Sequence, residues 1–314
     1  MPLLLLQYTL TFASVLILVA LGGCISERSG VINLGLEGIM VMGAMGGALT
    51  MRYLPANAPA IVIILLVLLF SALTGLVYSA LLAVACINFK ADQTIVGTAL
   101  NLLGTAGATV IVKAINTAAN PDDVSSVIQY MEPKQAFLVK LGGFEFSWFM
   151  AVTLLALIAV YVLLFKTRFG LRLMACGEHP QAADSVGINV YKMRWAGVLI
   201  SGALGGLGGI VFITAGVAEW RFEFGVAGFG FLALAVMIFG QWNPIRIALS
   251  ALLFGLFRAL SNVYMGFDFL TALNLPSQVY NMMPYIISLV VLAFTSKKSR
   301  APKAEGIPYD KGQR

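Results

Sequence analysis

The stretch Ser26–Ala48, SERSGVINLGLEGIMVMGAMGGA, opens on Glu27 and Arg28, then sets Asn33 and Glu37 among glycines and aliphatic residues. Most of it suits lipid, yet an amide or carboxylate inside a span is costly and marks a pathway, a helix break or a polar helix contact. Asn33 and Glu37 are four residues apart, so on a continuous helix they would share a face. The glycines let backbones approach closely, and they interrupt the helix that the aliphatic residues would otherwise build.

The rest of the chain sets the context for that stretch. Of its 314 residues 60% are hydrophobic and 11% charged, and the mean hydropathy is +0.91. Soluble domains carry roughly a quarter charged residues, so this is an integral membrane protein. The net charge of +6 marks cytoplasmic loops rather than a nucleic-acid partner, since no Arg-rich stripe is present. Cys24, Cys86 and Cys176 are widely spaced and His179 stands alone, so neither a zinc nor a haem site is expected. Leu21–Cys24, LGGC, resembles a lipoprotein cleavage box, but no basic segment precedes it, and it reads as part of a retained first helix.

A spanning helix needs about 20 apolar residues. Candidate spans lie at roughly 3–23, 31–51, 60–86, 93–115, 147–165, 195–216, 226–240, 244–264 and 280–295. The second is glycine-interrupted and the seventh short, so the expected fold is all-α and polytopic, with about eight to ten membrane helices, some broken. Basic residues at Lys90, Lys166, Arg168, Arg172, Lys192, Arg194 and Arg246 fall on one side, which the positive-inside rule makes cytoplasmic. Lys297, Lys298 and Arg300 join them. On this scheme the N-terminus lies outside. Residues 1–296 form one membrane domain, with a cytoplasmic loop at 166–194 and an acidic extracytoplasmic loop at 116–146. Residues 297–314 read as a disordered cytoplasmic tail.

Two segments, starting at Gly30 and Gly225, combine glycines with polar residues and run in opposite directions by the span count. Paired broken helices of this kind point to the substrate site of a transporter built from inverted repeats. Beside them stand Gln93, Asn101 and Thr105 on the fourth span, and the cluster Glu219–Gly225, EWRFEFG. Asn33, Glu37, Gln93, Asn101, Phe222, Phe224 and Phe229 are therefore candidates to line a path, the aromatic rings by stacking on a flat solute. Helix–helix hydrogen bonding for the polar groups, and core packing for each Phe, are the competing readings.

The loop Arg168–Arg194 carries Pro180, suited to a first helical turn, and Gly187, suited to a helix end. A short, stiff helix over roughly Pro180–Val186 between basic flanks fits the docking of a partner. Glu178, His179, Gln181 and Asp184 are its polar residues.

SERSGVINLGLEGIMVMGA, ADQTIVGTALNLL, GEHPQAADSVGINVYKMRWAGVLISGALGGLGG and FGVAGFGFLALAVMIFGQWNPI together resemble the permease subunits of ATP-binding-cassette importers. The resemblance is to the branched-chain amino-acid and ribose permease superfamily, in its nucleoside-uptake branch, to the second of two permeases. It implies a related permease partner, separate cytoplasmic ATPase subunits and an extracytoplasmic substrate-binding lipoprotein. It also implies that the coupling helix falls on Gly177–Asn189. Gly177, Glu178, Pro180, Ala182, Ala183, Asp184, Gly187 and Ile188 would then meet the ATPase, and the broken helix would cover Gly30–Gly38.

No Gly-Lys dipeptide occurs, so a phosphate-cradling loop of the GxxxxGK[ST] type is excluded. The chain is expected to be a transport subunit, not an enzyme, with no cofactor of its own and ATP hydrolysed by its partner. An ion-coupled carrier would show several intramembrane charges forming a relay, and a membrane enzyme would need a metal cluster or a nucleophile–base set. Few charges along the path suit a small neutral solute: a nucleoside by the resemblance, a simple sugar or branched-chain amino acid as the alternative.

Overall fold

The computed structural model of the chain describes residues 2–55, 58–128, 137–141, 144–215, 220–267, 270, 272, 276–295 and 300–312. Glu219, Lys297 and Lys298 from the sequence reading lie outside them, as does part of the 116–146 loop. The first half holds α1 (Pro2–Arg28), α2 (Leu36–Tyr53), α3 (Ala60–Ala83, lengthened by a π turn over Val84–Asn88) and α4 (Gln93–Ala119). An antiparallel hairpin, β1 (Leu138–Leu141) and β2 (Phe144–Ser147), leads into α5 (Trp148–Lys166). Then come α6 (Arg168–Glu178), α7 (Pro180–Ser185) and α8 (Val190–Ala215). A 3-10 turn at Phe222–Phe224, α9 (Phe229–Phe239), α10 (Pro244–Val263) and α11 (Ser277–Thr295) follow.

The helices begin where the sequence supplies caps. Asp92 Oδ1 accepts the N–H groups of Thr94 and Ile95 at 2.9 Å, opening α4. Ser147, Thr167 and Asn243 cap α5, α6 and α10 in the same way. Each satisfies a backbone donor that a helix start leaves unpaired.

Helices stand at every expected span, and the all-α polytopic fold is borne out, with a small hairpin added in the 116–146 loop. Among the described helices α1, α3 with its π turn, α4, α5, α8 and α10 are long and apolar enough to cross a membrane. The 11 residues of α9 reach only about 16 Å at the α-helical rise, half of a hydrocarbon core. The span expected at 226–240 is therefore a half-helix beginning at Phe229, while the one expected at 31–51 is an 18-residue helix of about 27 Å that begins only at Leu36; both follow irregular entry segments.

Small residues hold the bundle together. A Cβ on Gly43 of α2 would run into the backbone of Gly206 on α8, so the two helices touch main chain to main chain. Ser71 of α3 places its hydroxyl 2.8 Å from the carbonyls of both Gly43 and Gly206. Lipid offers no hydrophobic drive for helix association, and close packing plus such polar contacts take its place.

Two expectations at the basic end need correction. Residues 168–178 are not loop but a helix, α6, because Thr167 caps it and Leu173 and Cys176 turn inward. The segment expected to be a disordered tail is packed: residues 300–312 cross the face formed by α6, α7, α8 and the α1–α2 connection. Ala304 and Tyr309 are buried there, so this polar segment gains the apolar contact and backbone pairing that its composition alone did not promise.

Candidate functional site

The connection from Ser29 to Gly35 is irregular, with turns at 29–30 and 34–35 around a short non-helical stretch, and its backbone groups are held from outside. Ile32 N–H donates to Gln93 Oε1 at 2.6 Å, and Val31 O accepts from Ser26 Oγ at 2.7 Å. Asn33 is fully buried; its Nδ2 donates to Ser201 Oγ on α8 at 2.9 Å and its Oδ1 accepts Gly35 N–H. Asn101 of α4 spans the helix start, donating to Leu34 O at 2.8 Å and accepting Gly38 N–H at 2.9 Å. Gly38 itself packs so closely on Leu100 and Asn101 that a Cβ would collide with their backbone. Irregular backbone survives in a membrane only where its polar groups are met in this way.

The second break mirrors the first. Gly225, Ala227 and Gly228 all have positive φ, at 61°, 53° and 78°, a turn no helix can continue through. From it α9 starts, and its first N–H groups point at Glu37. Gly228 N–H donates to Glu37 Oε1 and Gly230 N–H to Oε2, each at 2.7 Å. Glu37 lies in the first turn of α2, so the starts of the two helices meet at one carboxylate. A helix N-terminus carries about half a positive charge, and that of α9, facing the carboxylate, stabilises it. Gly230 has no Cβ because one would strike the backbone of Glu37.

The sequence expectation that Asn33 and Glu37 share a helix face is overturned. Asn33 precedes α2 and turns to α8, whereas Glu37 turns to α9. Gln93, Asn33 and Asn101 are committed to the first break, holding its shape. Phe222 and Phe229 are buried, Phe229 against the rings of Phe12 and Phe212 at 5.8 and 4.6 Å; packing, the competing reading, describes both. Phe224 differs, with 65% of its surface exposed.

Around the turn at 225–228 a polar flank opens. A Cβ on Gly225 would sit 3.5 Å from Thr105 Oγ1 and 3.9 Å from Glu37 Oε1. Tyr285 of α11 donates its hydroxyl to Ala227 O at 3.0 Å. Along α4 the partly exposed Thr98, Thr105, Thr109 and Lys113 form a stripe, closed by a Lys113–Glu223 ion pair at 3.7 Å. Sequence reading singled out Thr105 in this stripe; Thr98 and Thr109, at helical spacing from it, carried a signal in plain view. Tyr285 and Arg258, whose guanidinium lies over the adjacent rings of Phe12 and Phe229 at 5.7 and 5.6 Å, had no local signal.

At the basic end, α7 runs Pro180–Ser185, a residue shorter than expected, and Gly187 with φ +85° turns the chain away. Ala182, Gln181 and Gly187 are exposed, Glu178, Asp184 and Ile188 half-buried, while Pro180 and Ala183 face inward. Gly177 is buried against the Arg28 carbonyl, with no room for a side chain. The residues expected to dock thus divide into an outward edge and an inward one.

Comparison with known proteins agrees with this architecture. A family described as branched-chain amino acid transport system / permease component matches residues 5–294. The nucleoside ABC transporter permease protein NupC of Lactococcus lactis is 40% identical, over 97% of this chain and 96% of its own. The guanosine ABC transporter permease protein NupQ of Bacillus subtilis is also 40% identical, over 98% and 96%. NupB, a second nucleoside ABC transporter permease protein from the same Lactococcus, is 23% identical over 98% of this chain and 85% of its own.

Proposed function

The chain belongs to the branched-chain amino acid transport permease family, and on that premise we propose that it is a multi-pass subunit of a nucleoside importer in a bacterial plasma membrane. The observation that carries the reading is the meeting of the starts of α2 and the half-helix α9 at Glu37, beside a polar flank open on one side. Half-helices that end in mid-membrane turn backbone dipoles toward a cavity, which is how transporters meet a solute without spending charged side chains. The flank supplies hydroxyls from Thr105, Thr109 and Tyr285 and the exposed ring of Phe224. Hydroxyls suit the edges of a ribose or base, and an exposed ring can stack on a base face.

A flank open on one side needs a second wall. A related permease subunit closes it, a reading supported by the presence of two nucleoside ABC transporter permease proteins, NupB and NupC, in one organism. Energy comes from cytoplasmic ATPase subunits that dock on the outward edge of α7, with an extracytoplasmic binding lipoprotein delivering the solute. Glu37 is engaged by two N–H donors, so it holds α2 and α9 together rather than passing protons, which weighs against an ion-coupled carrier. Simple sugars share the hydroxyl chemistry and are the alternative solutes.

The test is uptake of labelled nucleosides, with ribose and leucine as comparators. The cells express the chain with its neighbouring genes, with either active or inactivated ATPase. Nucleoside uptake abolished by the dead ATPase is expected. Uptake that persists would overturn the reading, and preferential ribose or leucine uptake would overturn the substrate class alone.

A further inference from the structure

Residues 300–312 touch both ends of the machinery described above. On one side Ala304 N–H donates to Gly177 O at 2.8 Å, at the end of α6. Tyr309 is buried in an apolar pocket with Cys176, Ala183 and Val190, its ring 5.3 Å from that of Tyr191. Lys311 lies 3.8 Å from Asp184 of α7. On the other side Gly306 N–H donates to Gly30 O, and Gly306, with φ +75°, packs against Ile32 so tightly that a Cβ would come within 2.8 Å of its Cδ1. Between the two, Arg194 Nη1 donates to Ile307 O at 2.8 Å, and Lys90 pairs with Asp310 at 2.8 Å.

Gly30 and Ile32 begin the irregular segment that sets the position of α2. That segment has no helical hydrogen-bond ladder of its own, so it moves with whatever holds it. Its start, Gly30 to Ile32, is held by the end of α1, by Gln93 and by this C-terminal segment, and its far part, Asn33 and Leu34, by Ser201 and Asn101. A continuous series of contacts therefore runs from α7 through residues 304–309 to Ile32, then Asn33, and on to Glu37 at the N-terminus of α9.

We propose that residues 300–312 form a coupling strap that carries displacement of α7 to the broken start of α2, making Tyr309 and Asp310 positioning residues for transport. The proposal rests on the permease reading, in which α7 is the element that the ATPase moves.

The experiment uses the full transporter, expressed with its neighbouring genes, and compares Tyr309→Ala, Tyr309→Phe, Lys90→Glu, Asp310→Lys and the Lys90→Glu/Asp310→Lys double variant. Three quantities are read: ATPase captured with the chain, ATP hydrolysed, and nucleoside imported per ATP. For Tyr309→Ala the import per ATP should fall about five- to tenfold, at the low end of usual coupling free energies, with ATPase capture and hydrolysis retained. Tyr309→Phe keeps the ring packing and should keep most of the coupling. Each single charge reversal should lower import per ATP and the double variant restore it. Loss of ATPase capture in step with import would make the segment a docking or folding element and overturn the proposal, as would unchanged import per ATP throughout. If Tyr309→Ala fails to accumulate, the charge-reversal set, placed on half-exposed side chains, decides. Wild-type uptake indifferent to the dead ATPase would instead overturn the permease reading, a result visible before any variant is compared.

Discussion

Glu37 and Gly230, 193 residues apart in sequence, are joined by a 2.7 Å hydrogen bond from the Gly230 N–H to Glu37 Oε2. With its twin from Gly228, this bond fastens the N-terminus of α9 to the first turn of α2. The two breaks are thereby a single structure, and a change on either side is felt by both.

Glu37→Gln keeps one acceptor oxygen and turns the other position into a donor facing an N–H, so it should lower uptake with the chain still folded. Glu37→Ala leaves both N–H groups unmet, at about 1–3 kcal/mol for each unsatisfied donor. Melting of the detergent-purified transporter should show a lower Tm for Glu37→Ala than for Glu37→Gln. Equal melting of wild type and Glu37→Ala would show that the two N–H contacts do not hold α2 and α9 together.

Phe224 and Phe222 sit two residues apart with opposite surroundings. Phe224→Ala removes an exposed ring and should raise the KM for nucleoside uptake while leaving the Tm nearly unchanged. Phe222 is fully buried, and Phe222→Ala should cost about 3–5 kcal/mol, as ring deletion from a packed core does. Unchanged KM in Phe224→Ala removes the ring from the solute path.

Asn101 serves the first break through two hydrogen bonds, to Leu34 and Gly38. Asn101→Ala should therefore lower both uptake and Tm, by about 1–3 kcal/mol for each backbone group left unsatisfied. Lost uptake at unchanged Tm would instead place Asn101 in contact with the solute.

The strap should respond to pH. Burial, against the smaller opposing effect of a hydrogen bond with Glu27, raises the Glu305 carboxyl above its ordinary value. A carboxyl raised in the docked state favours docking while protonated, and that contribution is lost as pH rises from the ordinary carboxylate range through the raised value. Lys90 is shifted up and Asp310 down by their mutual hydrogen bond, so this pair stays charged across the same window. A spin label on Ile307→Cys, at an exposed position, should become more mobile as pH rises. The native Cys24, Cys86 and Cys176 are buried and would not compete for label. Glu305→Gln should flatten the response, and a label whose mobility ignores pH in the native background would remove Glu305 as its source.

The sequence by itself determined the membrane class, the places of the spans and the existence of two broken helices. Each of these is written locally, as apolar runs about 20 residues long interrupted by glycine and polar residues. The short helix after Pro180 was legible for the same reason, since its start and stop are single residues. Tertiary structure decided what the polar residues do. Asn33 and Glu37 point to different helices because α2 starts only at Leu36, a boundary set by Asn101 and Gln93 reaching across from α4. Phe222 and Phe229 are core and Phe224 is not, because burial depends on which neighbours pack beside a turn. The polar C-terminal segment is ordered because α6, α7 and α8 form a pocket for Tyr309 and offer backbone partners to Ala304 and Gly306. None of these partners is near in sequence, and a hydrogen bond over such a separation leaves no periodic mark in the chain to be read.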